Sequence, residues 1–156
     1  MQPARYAESL SFLLSQVGAY SARTFAERIE PLGVSPRAYG VLRNLAGAGS
    51  QTQQQLAEAL GIHRNNMVGL IDEMEAAGWV RRHRSTQDRR AFDVRLTSAG
   101  HTVVRRVDKV IPSLDDDIGR ELSGDERHTM VALLGRVARS ADLMPGVHPH
   151  LGGRSR

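Results

Sequence analysis

The hydrophobic period of this chain changes at Gly78, and the residues on either side of the change limit what it can fold into. Upstream, Met67, Leu70, Ile71 and Met74 stand at i, i+3, i+4 and i+7, the spacing that lines one buried face of an amphipathic helix. Gly78 ends that helix. Downstream, Val94 and Leu96 alternate with Asp93, Arg95 and Thr97, the period of a half-buried strand. Between them, residues 81–95 hold six arginines (81, 82, 84, 89, 90 and 95) against Asp88 and Asp93, a local net of +4 that equals the formal charge of the whole chain. A helix joined to an arginine-rich hairpin is the outline of a nucleic-acid reader.

The segments around this stretch read mainly as helices. Leu10, Leu13, Leu14, Val17, Ser21 and Phe25 keep helical spacing until Pro31 and Gly33. So long a leading helix suggests a subunit interface, with packing inside its own chain as the alternative. Ser35 and Pro36 form an N-cap and a first helical position for a second helix running to about Leu45, followed by a Gly47, Gly49, Ser50 loop. Thr52 caps a third helix, QQQLAEAL, whose buried face is Leu56, Ala57 and Leu60. Gly61 then turns the chain into the longer helix, the order of a helix-turn-helix.

On that longer helix, Asn65, Gly69 and Asp72 lie opposite the apolar face, with Arg64, Asn66 and Val68 on its flanks. The later turns carry Asp72, Glu73 and Glu75, which phosphates would repel, so only the N-terminal half is expected to enter a groove. Asparagine can bond an adenine edge and arginine a guanine edge, which makes Asn65, Asn66 and Arg64 the candidates for base contact. The competing reading is solvation or capping at a helix start. Gly69 weakens the helix, and either admits a close approach of DNA or has no role. At the hairpin tip, Arg89 and Arg90 can enter a narrow minor groove, and Asp88 is expected to orient an arginine by a charge-assisted bond.

After the hairpin, Ser98 to Leu122 reads as one long helix with the stripe Val103, Val107, Val110, Leu114 and Ile118, kinked but unbroken at Pro112. Asp115, Asp116 and Asp117 are consecutive, so they diverge around the helix and form a solvated face, not a metal site. Ser123 and Glu126 make a capping box for a last helix with the stripe Met130, Val131, Leu134, Val137, Ala138 and Ala141. Residues 143–156 are rich in proline and glycine and are expected to form a flexible tail, in which His148 and His150 are too few for a metal site.

The chain has no cysteine, which excludes disulfides and thiolate metal ligands, and no apolar run near ~18 residues, so a cytoplasmic protein without membrane contact is expected. No nucleophile elbow or glycine-rich phosphate loop is present, and His63, His101 and His128 lack ligand spacing. These patterns predict no catalytic residues, no cofactor and no metal.

In combination, MEAAGWV from Met74, seven residues, DRR at 88–90, six residues and T-x-x-G from Thr97 resemble the MarR family of winged helix-turn-helix transcriptional regulators. The resemblance extends over nearly the whole chain. It implies a mainly α fold: a winged helix-turn-helix lobe at 33–97 with a small β-hairpin wing, and dimerisation helices at 5–30 and 98–142, together one domain over 1–142. It also implies a homodimer on double-stranded DNA, with the recognition helices in successive major grooves and each wing in the flanking minor groove. The DNA-contact set is then His63, Arg64, Asn65, Asn66, Val68, Gly69, Arg84, Asp88, Arg89 and Arg90. Arg90 is the groove-inserting residue by this resemblance, and Asp88 its holder. His63 stands where the family more often has Ser, Thr or Asp; an imidazole caps poorly, so a phosphate contact is expected of it. The resemblance further implies an effector pocket, often for small aromatic anions, for which Tyr20, Arg23, Tyr39 and Arg43 are candidates, with core packing as the alternative for the tyrosines. A repressor released by such a ligand is the reading that follows. An architectural DNA-binding protein without an effector, or less readily a small enzyme, are the alternatives.

Overall fold

The computed structural model describes residues 6–148. Seven α-helices and a small sheet follow one another as α1 (Leu10–Ile29), a 3-10 turn (Glu30–Leu32), α2 (Pro36–Ala48), β1 (Ser50–Thr52), α3 (Gln53–Leu60), α4 (Arg64–Ala76), β2 (Val80–Arg84), β3 (Phe92–Leu96), α5 (Ser98–Asp108), α6 (Ile111–Ile118) and α7 (Gly124–Ser140). The expected helix starts are present as capping bonds. Ser35 Oγ accepts the Ala38 N–H, and Thr52 and Gln55 form a reciprocal capping box, as do Ser123 and Glu126. In the last of these, the Ser123 backbone N–H donated to Glu126 holds its carboxyl below the usual carboxylate range.

The core sits between α2, α3, α4, the sheet and α5. Val41, Leu42, Leu45, Leu56, Leu60, Met67, Ile71, Met74, Val80, Val94 and Val107 are all essentially removed from water. Gly61 makes the turn between α3 and α4 with φ 62°, a left-handed conformation that a side chain would strain. The wing leads straight into α5. Thr97 Oγ1 donates to the Gly78 carbonyl (2.5 Å) and accepts the Gly100 N–H (3.1 Å), while the Thr97 N–H reaches the Trp79 carbonyl at 3.0 Å. A Cβ on Gly100 would stand 2.1 Å from that same Trp79 carbonyl oxygen, so only glycine lets α5 pack against the base of the wing.

Three expectations are corrected. Helix α2 continues through Gly47 to Ala48, and Ser50 belongs to a third strand, β1, that pairs antiparallel with β3 (Ser50 opposite Arg95, Thr52 opposite Asp93) in the order β1-β3-β2. The long helix after the wing is two helices, because Pro112 has no N–H for the Asp108 carbonyl and its ring crowds that oxygen. Lys109 and Val110 nevertheless keep right-handed helical angles, so the apolar stripe passes unbroken from Val107 to Leu114. The second segment stops at Ile118, short of Leu122. Of the expected tail, residues 143–148 are described, and Val147 is half-buried against the core; the remainder, with His150, lies outside the described residues.

The terminal helices differ from the lobe. Leu10, Leu13, Leu14 and Val17 on α1, and Met130, Val131, Leu133, Leu134 and Val137 on α7, are exposed, Val131 by 70% and Leu10 by 69%. No residue of α7 is buried. Polar bonds fasten these helices to α6: Arg28 reaches Ser113 and Asp117, and Arg127 reaches Asp116 and the Gly119 carbonyl. Among the described residues, no helix is long and apolar enough to cross a membrane.

Candidate nucleic-acid interface

Helix α4 turns one face to the core through Met67, Leu70, Ile71 and Met74 and leaves Arg64, Asn65, Asn66, Val68, Gly69 and Asp72 exposed. The side chains of Arg64, Asn65 and Asn66 make no hydrogen bond or ion pair among the described residues, so their donors are available to a partner. His63 is the N-cap: its Nδ1 accepts the Asn65 N–H at 3.3 Å. The bond is long, so this is the poor cap expected of an imidazole.

The six arginines of the wing divide into two groups. Arg81, Arg84, Arg89 and Arg90 are exposed and have no carboxylate within 4.0 Å among the described residues. Arg95 turns along the sheet to Asp93 (4.0 Å) and Ser50 (3.3 Å). Arg82, only 19% exposed, leaves the basic arm altogether. Its guanidinium bonds Asp72 Oδ1 (2.6 Å), Glu75 Oε2 (2.7 Å) and Gln53 Oε1 (2.5 Å), and its backbone N–H bonds Glu75 Oε1 (3.0 Å). That backbone bond, with the guanidinium behind it, holds the Glu75 carboxyl below its ordinary range.

This cluster takes Arg82, counted in the basic arm but outside the expected DNA-contact set, away from the free cations, and it seats a guanidinium between Asp72 and Glu75. It also joins the start of α3, the later turns of α4 and the root of the wing, which fixes how helix and hairpin sit relative to each other. Arg82 had a signal in the sequence. Period-two alternation from the buried Val80 places residue 82 on the inward side of β2.

The tip is held by two residues. Ser85, itself buried, accepts the N–H groups of Gln87 (3.2 Å) and Asp88 (3.4 Å) on its hydroxyl, and its own N–H reaches the Ala91 carbonyl. Asp88 Oδ1 accepts the backbone N–H of Arg90 at 2.9 Å. Asp88 thus shapes the turn beneath Arg90 and does not orient a guanidinium, contrary to the expectation, because its carboxylate is within reach of the backbone two residues on. Arg84 lies 5.9 Å from the ring centre of the exposed Phe92, its cross-strand partner in the wing. Ser85, Phe92 and Gln53 were not picked out from the sequence, since nothing local marks them.

The four effector candidates do not come together. Tyr39 O–H donates to Asp108 Oδ1 (2.7 Å), Arg43 stands 3.7 Å from the other Asp108 oxygen, and the Tyr39 ring packs against Phe25 at 5.6 Å. Burial, then the bond to Asp108, pushes the Tyr39 phenol up to about 12. Tyr20 lies on the exposed face of α1, and Arg23 pairs there with Glu27 at 3.8 Å. Two open clefts of about 500 Å³ are lined by other residues, one over the α3–α4 turn and one between the end of α1 and the start of α2.

A helix-turn-helix followed by an arginine-tipped hairpin that packs into the next helix defines a winged helix-turn-helix DNA-binding protein. Comparison with known proteins gives the family. The MarR family profile matches residues 32–91. A Thauera aromatica protein described as a transcriptional regulatory protein for the hcr operon is 31% identical over 140 residues, 89% of this chain and 84% of its own. Among solved structures, wild-type MarR from E. coli in its apo form is similar with a TM-score of 0.77 at 25% identity, covering 83% of this chain and 96% of that one. The transcriptional repressor CouR bound to a 23-mer DNA duplex has a TM-score of 0.77 at 27% identity, covering 89% and 99%. The chain belongs to the MarR family of transcriptional regulators.

Proposed function

We propose that this chain works as a homodimeric repressor that binds a palindromic operator and leaves it when a small, aromatic anionic ligand binds. The observation that carries this reading is the pair of uncovered apolar faces on α1 and α7. Stripes of this length cost free energy in water, and a second copy of the same helices covers both at once in a twofold assembly. Two copies then present two α4 helices, which calls for an inverted repeat with half-sites about 10 base pairs apart. The structure of CouR on a DNA duplex supports double-stranded DNA as the partner.

In this arrangement Arg64, Asn65, Asn66, Val68 and Gly69 face the major groove and His63 lies near the phosphates. Arg84, Arg89 and Arg90 extend to the flanking minor groove over the turn that Asp88 shapes. Ligand release is supported by Tyr39, Arg43 and Asp108, which link α2 to the end of α5, where the chain leaves the lobe for α6. A ligand that takes the Tyr39 hydroxyl breaks this link and changes the spacing of the two α4 helices. For a 100-fold loss of DNA affinity it must favour the DNA-incompetent form by about 2.7 kcal/mol, and operator DNA must weaken ligand binding by the same factor.

The test is selection of bound sequences from random DNA, followed by sedimentation of the protein and titration of the operator complex with aromatic carboxylates and phenols. The expected result is a dimer at micromolar concentration, one enriched palindrome and release by at least one compound. A monomer that binds a single half-site tightly would overturn the dimeric reading, and a complex indifferent to the whole panel would overturn ligand release.

A further inference from the structure

Val68 is 38% exposed and is the one large apolar side chain on the outward surface of α4. It stands in a row with Arg64 and Asp72 at i−4 and i+4, both exposed, so it belongs to no contiguous apolar patch that a protein partner could cover. Beside it is Gly69. This glycine lies within the helix without a positive φ, and a Cβ built on it meets nothing within 4 Å. The contrast with Gly100 is direct, because there a neighbouring carbonyl forbids any side chain. Packing within the chain therefore does not require glycine at position 69, and two residues that weaken a helix stand together at its middle. The backbone at this point is fastened from behind, since the Arg82 guanidinium approaches the Val68 carbonyl at 3.5 Å while holding Asp72 and Glu75.

An isolated apolar side chain among polar neighbours, next to a position stripped of its side chain, fits a surface that is itself polar with isolated methyl groups. The major-groove edge of a base pair is such a surface, and thymine is the base that carries a methyl group there. We propose that Val68 and Gly69 form a specificity-determining pair that reads one thymine methyl group in each half-site, with Gly69 leaving the space in which base edge and Val68 meet. This rests on the operator-binding reading given above and adds the chemistry read at one position.

The experiment uses the selected operator with each thymine replaced singly, and symmetrically in both half-sites, by deoxyuridine, which removes the methyl group and leaves the hydrogen-bonding edge intact. For the native protein, one thymine position is expected to weaken binding roughly fourfold per methyl group, or about 15-fold when both half-sites are changed. Val68→Ala is expected to bind the thymine and deoxyuridine operators with equal affinity. Gly69→Ala is expected to raise the melting temperature, as alanine favours the helix, while weakening operator binding, which separates loss of contact from loss of fold. Native protein indifferent to every deoxyuridine replacement, or Val68→Ala that keeps the full discrimination, overturns this inference while leaving operator binding standing. A selection that yields no preferred sequence overturns operator binding itself, and this inference with it.

Discussion

The winged lobe and the terminal helices are built from similar amphipathic helices, yet they end in opposite states. In the lobe, the apolar stripes of α2, α3, α4 and α5 meet one another and the sheet, so that Leu42, Leu56, Ile71 and Val107 are out of water within a single chain. In α1 and α7 the stripes are equally regular, yet only the end of α1, at Phe25 and Ile29, reaches the core; Leu10 to Val17 and all of α7 stay open, and arginines tie both helices to α6. Helical periodicity therefore specifies an apolar face without specifying what covers it. The lobe covers its own faces within one chain, whereas those of α7 and the first turns of α1 are left open.

The strongest way to break this contrast is Leu134→Asp, which places a charge in the uncovered stripe of α7. It is expected to give a monomer by sedimentation and to lower operator affinity ~100-fold or more, since the second half-site is no longer tethered, while circular dichroism stays native. Ile71→Ala, in the lobe, is expected to lower unfolding free energy by about 2–5 kcal/mol, with operator affinity recovered wherever the protein is folded; urea melts give the comparison.

Arg82→Ala tests the joint between helix and wing. It is expected to cost about 1–2 kcal/mol, since Asp72 and Glu75 are partly solvated and lose only part of their stabilisation, and to weaken DNA binding by exposing two carboxylates. The pH dependence has a definite sign. The folded-state value of Glu75 is lowered, so its contribution is complete above the ordinary carboxylate value and lost as pH falls through the folded value. Melts across the acid range should show that part of the acid sensitivity missing in Arg82→Ala.

Arg90→Ala is expected to leave stability unchanged and to reduce the salt slope of DNA binding by about one per subunit. An unchanged slope would remove Arg90 from the phosphate-rich groove. The smallest effect is expected for Tyr39→Phe, about 0.5–1.5 kcal/mol for one hydrogen bond. Because the phenol is raised from 10 to about 12 in the folded state, its contribution is present below pH 10 and lost as pH rises through about 12. Ultraviolet titration should find a phenol ionising near 12 that the variant lacks.

Much of the fold was legible because it is local. Caps at Ser35, Thr52 and Ser123, the turn at Gly61 and the apolar faces of α3 and α4 are read directly from residues a few positions apart. What escaped depends on distant partners. Ser50–Gln51–Thr52 has no apolar alternation and is a strand only because β3 pairs with it. The break at Pro112 was hidden because Lys109 and Val110 keep helical angles and carry the stripe across it. At the interface, composition located the basic arm, but counting charges could not separate Arg82, consumed by Asp72 and Glu75, from Arg81, Arg84, Arg89 and Arg90. Asp88 was placed correctly at the tip and misread in its partner, since a backbone N–H is invisible to charge pairing.

The seating of Arg82 also bears on how such a protein can change over generations. Helix α4 is gripped along its buried side and through Asp72 and Glu75, whereas Arg64, Asn65, Val68 and Gly69 carry no side-chain bond to the rest of the molecule. On the operator reading proposed above, substitutions at those four positions alter what is read without altering what holds the reader in place. A duplicated copy would then drift toward a new operator through single steps there, each folding as well as the last. By contrast, a change at Arg82 forces several partners to change with it.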